Sequence, residues 1–314
     1  MGDVMIGRLV NEALTDLPPQ YLWGNMLPLL KQNDFNLINL EAALTTHTHA
    51  VPKVFNFKAD PSKVKSLIEG HITVANLANN HILDFDVPGL QETLQTLDRA
   101  HIKHVGAGQT LAEAKKPMIL EKEGVKIAIL GCTDNEPSWD ANDQKPGVFY
   151  VEVGKGAALK KEIAHLKSQV DVVILSMHWG PNMRDRPTPE FIAFAHEMVD
   201  AGAHIFHGHS AHVFQGVEIY NGGLILYDTG DFVDDYAVDL KLRNDRSFLF
   251  VVEIDKRGFQ TLTLYPTFIS NCQVNLAPEK EAKDAMKKMI QLSAEMRTDF
   301  LTGRGALILR YLRS

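Results

Sequence analysis

Short aliphatic runs alternate along this chain with stretches whose apolar residues recur at helical spacing, and that alternation restricts the fold more than any other feature. Leu37-Ile38-Asn39-Leu40, Ile72-Thr73-Val74-Ala75-Asn76-Leu77 and Val170-Asp171-Val172-Val173-Ile174-Leu175 read as buried strands, being short, aliphatic and too brief for helices. Three helix starts are marked by proline, whose missing N–H costs nothing in a first turn. Asp60-Pro61 opens a helix with Val64, Leu67 and Ile68 inward. Thr188-Pro189 opens one with Phe191, Phe194, Ala195, Met198 and Val199 on one face. Val87-Pro88 opens a third, capped by Asp86, with Leu90, Leu94 and Leu97 as its stripe. Strands alternating with helices predict an α/β fold. From about residue 117 the pattern shifts to antiparallel pieces at Met118 to Leu120, Val125 to Leu130, Val213 to Tyr227 and Phe248 to Leu264. Glycine turns such as Asn221-Gly222-Gly223 join them, and a last helix is expected over residues 279–300. With no repeat or clear linker, a single domain over 1–314 is expected, its motif-bearing core at 1–268 and a helical segment after it.

Composition narrows the function. The chain is 45% hydrophobic, which excludes disorder and a disulfide-stapled miniprotein. Lys plus Arg total 32 against 39 Asp plus Glu, a net charge of −7, so no nucleic-acid partner is expected. Cys132 and Cys272 have no metal-type spacing and suit a reducing compartment. No run reaches about 18 apolar residues and no signal-peptide pattern opens the chain, so the expectation is a cytoplasmic protein without a membrane anchor. The 13 histidines are about twice the number expected for this length.

Those histidines direct attention to strand ends, where α/β folds place ligands. Five places bring polar residues there: Gly2-Asp3-Val4-Met5, Asn39-Leu40-Glu41, Asn79-Asn80-His81, His178-Trp179-Gly180 and His207-Gly208-His209-Ser210-Ala211-His212. Each alone has a bland explanation, as a turn, a cap or a satisfied core histidine. Together, imidazoles, carboxylates and a carboxamide at neighbouring strand ends suit a divalent Zn, Mn or Fe ion. His47 and His49 fall in a polar loop, and His101, His104, His165, His196 and His204 fall in or beside helix and strand patterns, so they are read as surface or structural groups.

Read in order, these segments resemble the CapA-like family of poly-γ-glutamate capsule biosynthesis, a branch of the calcineurin-like metallophosphoesterases. The matching pieces are Gly2-Asp3-Val4-Met5-Ile6-Gly7-Arg8, Asn39-Leu40-Glu41, Ala78-Asn79-Asn80-His81 with Asp84, His178-Trp179-Gly180, Gly208-His209-Ser210-Ala211-His212-Val213 and Tyr227-Asp228-Thr229-Gly230-Asp231-Phe232. The resemblance implies a four-layer α/β/β/α sandwich with a C-terminal helix and a centre of one or two divalent ions at one edge of facing sheets. It implies that Asp3 serves a first metal and Glu41 bridges two, that Asn80, His178 and a histidine of 207–212 hold the second, and that His212 returns to the first. His81 would be the general acid or base, oriented by Asp84, with Arg8 and the Asp231 loop facing substrate.

Three departures accompany the match. Met5 stands where the superfamily carries a histidine, which points toward a single ion. Ser210-Ala211-His212 replaces a His-Pro-His motif, leaving His209 or the His207–His209 pair to supply the imidazole; His209 with His212 is favoured. The apolar strand that ordinarily precedes the first Gly-Asp is missing, so truncation of the amino end or a poorly anchored Asp3 is expected.

Such a centre supports Lewis-acid hydrolysis of an anionic substrate, with His81, of reference pKa about 6.5, moving the proton. Substrates in view are an anionic polymer or peptide, cleaved at a γ-glutamyl or other peptide amide, or a small phosphoester. Arg8, Arg184 and Arg186 offer forked donors for such anions, or for Arg184-Asp185-Arg186 simply solvated charge. The alternatives are a metal-assisted peptide-modifying enzyme such as an epimerase, and a non-catalytic binding or assembly component of polymer synthesis. Substrate, metal identity and oligomeric state stay open at this level.

Overall fold

The computed structural model describes residues 1–311. Two sheets face each other. The first is wholly parallel, in the order Asp231–Val233, Asp3–Val4, Leu37–Leu40, Val74–Asn76, Lys103–Val105. The second runs Val217–Tyr220, Gly223–Leu226, Ile205–His209, Val172–His178, Val125–Thr133, Met118–Lys122, with parallel strands inside and an antiparallel partner at each edge.

Side-chain alternation along each strand produces the layers. In the first sheet Val4, Ile38, Leu40 and Ala75 point to one side, where Val10, Leu14, Leu67, Leu90, Leu94 and Leu97 of the outer helices meet them. In the second, Leu130, Val173, Leu175 and Phe206 meet Leu159, Ile163, Phe194 and Met198 of two further helices. The opposite faces join between the sheets through Val74, Val105, Ile127, Ile129, Val172, Ile205, Leu224 and Leu226. Helix, sheet, sheet, helix is the four-layer α/β order that the family resemblance implied.

The remainder departs from expectation at its end. The helix forecast over 279–300 closes at Glu295, and the chain returns as strands Leu301–Gly303 and Ala306–Arg310. These join a third, antiparallel sheet built on the long hairpin Arg246–Asp255 and Gly258–Ser270. Leu301 and Leu307 to Leu309 alternate over too few residues to stand out beside a 17-residue helix. The forecast helix starts mostly hold: Thr188 caps Pro189–Ala201 by accepting from the Phe191 amide, and Asp60 caps a 3₁₀ turn that leads into Val64–Glu69. Asp86 is instead the first residue of the helix Asp86–Arg99, with φ of 56° and its carboxylate accepting from the Val87 amide.

Candidate metal centre

The inter-sheet layer changes character along its length. Val172 and Ile174 are followed on the same face by Ser176 and His178, and Ile205 by His207 and His209. In the first sheet Leu37 gives way to Asn39, and Val74 to Asn76. Register does the rest: Asp231, Asp3, Asn39 and Asn76 form one row across four neighbouring strands, while His178 pairs with His209 in the facing sheet. A fold whose strands all end at one edge thus brings distant polar residues together.

Asp3 lies at the centre of the cluster and is fully buried. Its Oδ1 lies 3.5 Å from His209 Nδ1 and 4.0 Å from His178 Nδ1, and accepts from Asn39 Nδ2 at 2.8 Å. Its Oδ2 lies 3.6 Å from His212 Nδ1 and accepts from the Ser210 amide at 3.2 Å. The turn carrying those last two residues is strained, Ser210 and His212 having φ of 124° and 60°. It is held by the Asp3 contact and by the Ala211 amide donating to Asp228 at 2.8 Å.

Glu41, just beyond the strand end, places Oε1 4.0 Å from His178 Nε2 and 3.8 Å from His81 Nε2. His81 Nδ1 is 2.6 Å from Asp84 Oδ2, an oxygen that also accepts from the Phe57 amide, and Lys53 Nζ holds the other Asp84 oxygen at 2.9 Å. The His81 amide donates to Asn79 Oδ1, and Asn79 Nδ2 donates to Asn39 and to the Leu40 carbonyl. Asn79 therefore ties the His81 loop to the first sheet, leaving Asn80 to turn its Oδ1 into a buried position without a donor.

Burial dominates the electrostatics. Desolvation raises the Asp3, Glu41 and Asp231 carboxyls above their ordinary values, Glu41 further through the charges of Asp3 and Asp231. The same burial pushes His178 and His209 well below the usual imidazole value. His81 and His212 are lowered by burial too, opposed respectively by Asp84 and Asp3. Glu41 Oε1, His178 Nε2, Asn80 Oδ1 and Asp231 Oδ2 are all buried with no hydrogen-bond partner. Orphaned acceptors are rare in protein interiors, and a set combining carboxylates, imidazoles and a carboxamide fits a divalent cation.

Most of the residues singled out in the sequence converge here: Asp3, Glu41, His81, Asp84, His178, His209 and His212, with Asn80 beside His81 on the same loop. Of the two histidines left open, His209 reaches Asp3, whereas His207 is 2.9 Å from the Met1 carbonyl and 3.0 Å from Ser176 Oγ. Met5 is fully buried within the apolar cluster around the first sheet. Arg8 borders the cluster through aromatic rings, its guanidinium over Phe57 and Tyr236, which pack against His81 and His212, and its Nε 3.4 Å from Asp235. Arg186 is engaged elsewhere, forked onto Glu295 of the long helix at 2.8 Å through both Nε and Nη2, so it is not a free substrate anchor. Asp231, expected in a loop facing substrate, sits instead in a strand beside Asp3, its Oδ1 2.8 Å from His212 Nδ1. Sequence reasoning placed Asn39 in a strand-end segment but gave it no role, although it spans Asp3, Glu41 and His178, and it missed Asn76 and Lys53. Asn39 carries one available signal, a carboxamide two positions before Glu41 on the inward face of its strand.

A four-layer α/β scaffold with a buried carboxylate–imidazole cluster between its sheets defines the class. Residues 1–236 match the model of the family described as bacterial capsule synthesis protein PGA_cap, and the chain belongs to that family. It is 32% identical over 316 residues to the capsule biosynthesis protein CapA of Bacillus anthracis, covering 98% of this chain and 74% of that one. It is 37% identical over 249 residues to a probable polyglutamine synthesis accessory protein of Mycobacterium tuberculosis, covering 75% and 65%. Among solved structures it is similar to a phosphatase from Mycoplasma pneumoniae, with a TM-score of 0.45 and 15% identity over 92% of this chain and 96% of that one. Among the described residues no helix is long and apolar enough to cross a membrane.

Proposed function

We propose that this chain is a metal-dependent hydrolase acting on an anionic substrate. In this reading Asp3, Glu41, Asn80, His178, His209 and His212 hold one or two divalent ions of Mn, Zn or Fe. The observation that carries the reading is the set of buried, unpartnered acceptors on Glu41, His178 and Asn80 beside the Asp3 cluster. When bound, a divalent cation polarises a substrate oxygen and lowers the pKa of water. The protein's own part is positioning and proton movement. Asp84, fixed by Lys53 and the Phe57 amide, holds Nδ1 of His81, so Nε2 faces Glu41. An imidazole held neutral by burial can take a proton there and return it to the leaving group.

One donor beside the cluster is open to an anionic substrate: Arg8 Nη1 is buried with no acceptor, although Arg8 Nε lies 3.4 Å from Asp235. The relatives' roles in capsule and polyglutamine synthesis favour a γ-glutamyl or related peptide amide over a phosphoester. The test is protein of verified metal content assayed with Mn, Zn and Fe against γ-glutamyl peptides and phosphoesters. Turnover lost on His81→Ala is expected; no turnover of either class overturns the reading. A binding role in polymer assembly is favoured by the accessory function in the mycobacterial relative's name. It predicts polymer affinity unchanged by His81→Ala.

A further inference from the structure

The row of register partners contains one carboxylate that the metal-holding set above leaves out. Asp231 lies opposite Asp3 on the adjacent parallel strand. Its Oδ1 meets His212 Nδ1 at 2.8 Å, the same nitrogen that lies 3.6 Å from Asp3 Oδ2. Donor atoms of Asp3, His212 and Asp231 therefore fall within 4.8 Å of one another, and all three residues are buried. A second group of three, Asp3, His178 and His209, satisfies the same condition. The two share only Asp3, whose Oδ1 faces one group and whose Oδ2 faces the other.

We infer that Asp231 is a metal ligand, completing with Asp3 and His212 one of two cation positions that share Asp3. The inference rests on the metal-centre reading proposed above and adds the ligand. Met5, buried in the apolar cluster around the first sheet, offers only a thioether. The strand pairing beside Asp3 supplies a carboxylate where an imidazole two residues along the chain is missing.

Among the described residues, none of the neighbouring acids falls in either ligand group. Asp228 is satisfied by the backbone, accepting from the Ala211 and Gly230 amides at 2.8 Å each. Asp235 gives one oxygen to the Leu9 amide and Arg8, and its other oxygen is buried without a donor. Asp234 lies against Asp231, and an oxygen of each is buried without a donor. Carboxyls crowded in this way need a proton or a cation between or beside them. Two carboxylates and one imidazole also make this the harder of the two positions, suited to Mn²⁺ or Fe²⁺, while the two imidazoles at His178 and His209 suit Zn²⁺.

Chelator-stripped protein titrated with Mn²⁺, free ion being read by electron paramagnetic resonance and bound metal by mass spectrometry, tests this. Two ions per chain are expected in the wild type. Asp231→Ala is expected to weaken one of them by more than about 100-fold, beyond the usual effect of an outer-shell carboxylate, while the other stays bound and reports an intact fold. The near-isosteric Asp231→Asn, which carries no anionic donor, is expected to weaken the same ion and no other. A single ion in the wild type overturns the inference and leaves the hydrolase reading standing. Two ions in Asp231→Ala with affinities within 100-fold of wild type also overturn it, placing Asp231 behind His212 as an orienting group. No bound ion in the wild type removes both.

Discussion

Ile205 and His209 occupy the same strand, point to the same side and lie four residues apart, yet they belong to opposite ends of the inter-sheet layer. Ile205 lies in an apolar cluster with Ile127, Ile129, Val172 and Leu226, beside a cavity of about 490 Å³. His209 faces Asp3, His178 and Asn76. Ile174 and His178 repeat the contrast on the next strand. Both ends are buried, so burial alone does not decide what an inward position does. At the amino end it removes apolar surface from water and stabilises the fold. At the carboxyl end it desolvates carboxylates and imidazoles, a cost tolerated only when something compensates.

The most severe break of that contrast is Asp3→Ala. If Asp3 is shared by both cation positions, its loss releases all bound metal, and hydrolysis falls by more than about 10³-fold, comparable to losing a reacting group outright. Metal analysis after gel filtration checks the first and steady-state rates the second. Retention of one tightly bound ion would move the shared role to Glu41. Next in size is His81→Ala, expected to lower kcat by about 10²–10⁴-fold with metal content unchanged. Asp84→Asn follows in the same direction, since His81 Nδ1 then loses its anionic partner. A His81 variant that loses its metal would place His81 among the ligands.

The two ends were not equally legible in the sequence. Strand Leu37–Leu40 coincides with the run read from its aliphatic content, and the runs at 72–77 and 170–175 contain or overlap Val74–Asn76 and Val172–His178. Their hydrophobic pattern is local, and so are the proline-marked helix starts. The cluster was legible to the extent that it follows strands: Asp3, Glu41, His81, His178 and His209 each sit at or just past a strand end. Asp231 was read only as part of a substrate-facing loop, because its place beside Asp3 in a sheet, 228 positions away along the chain, is a pairing that no spacing encodes. Asn39 was hidden differently, a carboxamide inside an aliphatic run that only its partners show to be the hub. The strands after Glu295 were lost because their pairing partners lie in a distant hairpin.

pH separates the ends further. The buried carboxyls of Asp3, Glu41 and Asp231 have folded-state pKa values above those of the unfolded chain. Without metal, each therefore favours the folded state below the ordinary carboxyl value and loses that contribution as pH rises through the raised one. A cation replaces those protons, so metal stabilisation should grow with pH. At a thousandfold excess over Kd it reaches about 4 kcal/mol. Thermal unfolding with Mn²⁺ and with chelator at pH 5.5 and pH 8 measures the difference. A gap that shrinks toward pH 8 contradicts proton displacement at this cluster.

The smallest expected effect falls at the apolar end. Ile205→Ala removes a buried side chain beside an existing cavity, and large-to-small core changes cost about 2–4 kcal/mol. The neighbouring space can relax inward, which favours the lower part of that range. Because Ile205 is two pleats from His209 on a strand whose backbone is held by partners on both sides, the register at His209 should persist. Denaturant midpoints should fall while metal stoichiometry and affinity stay at wild-type values. If metal affinity instead falls together with stability, the layer behaves as one cooperative unit, and the division between a supporting end and a chemical end disappears.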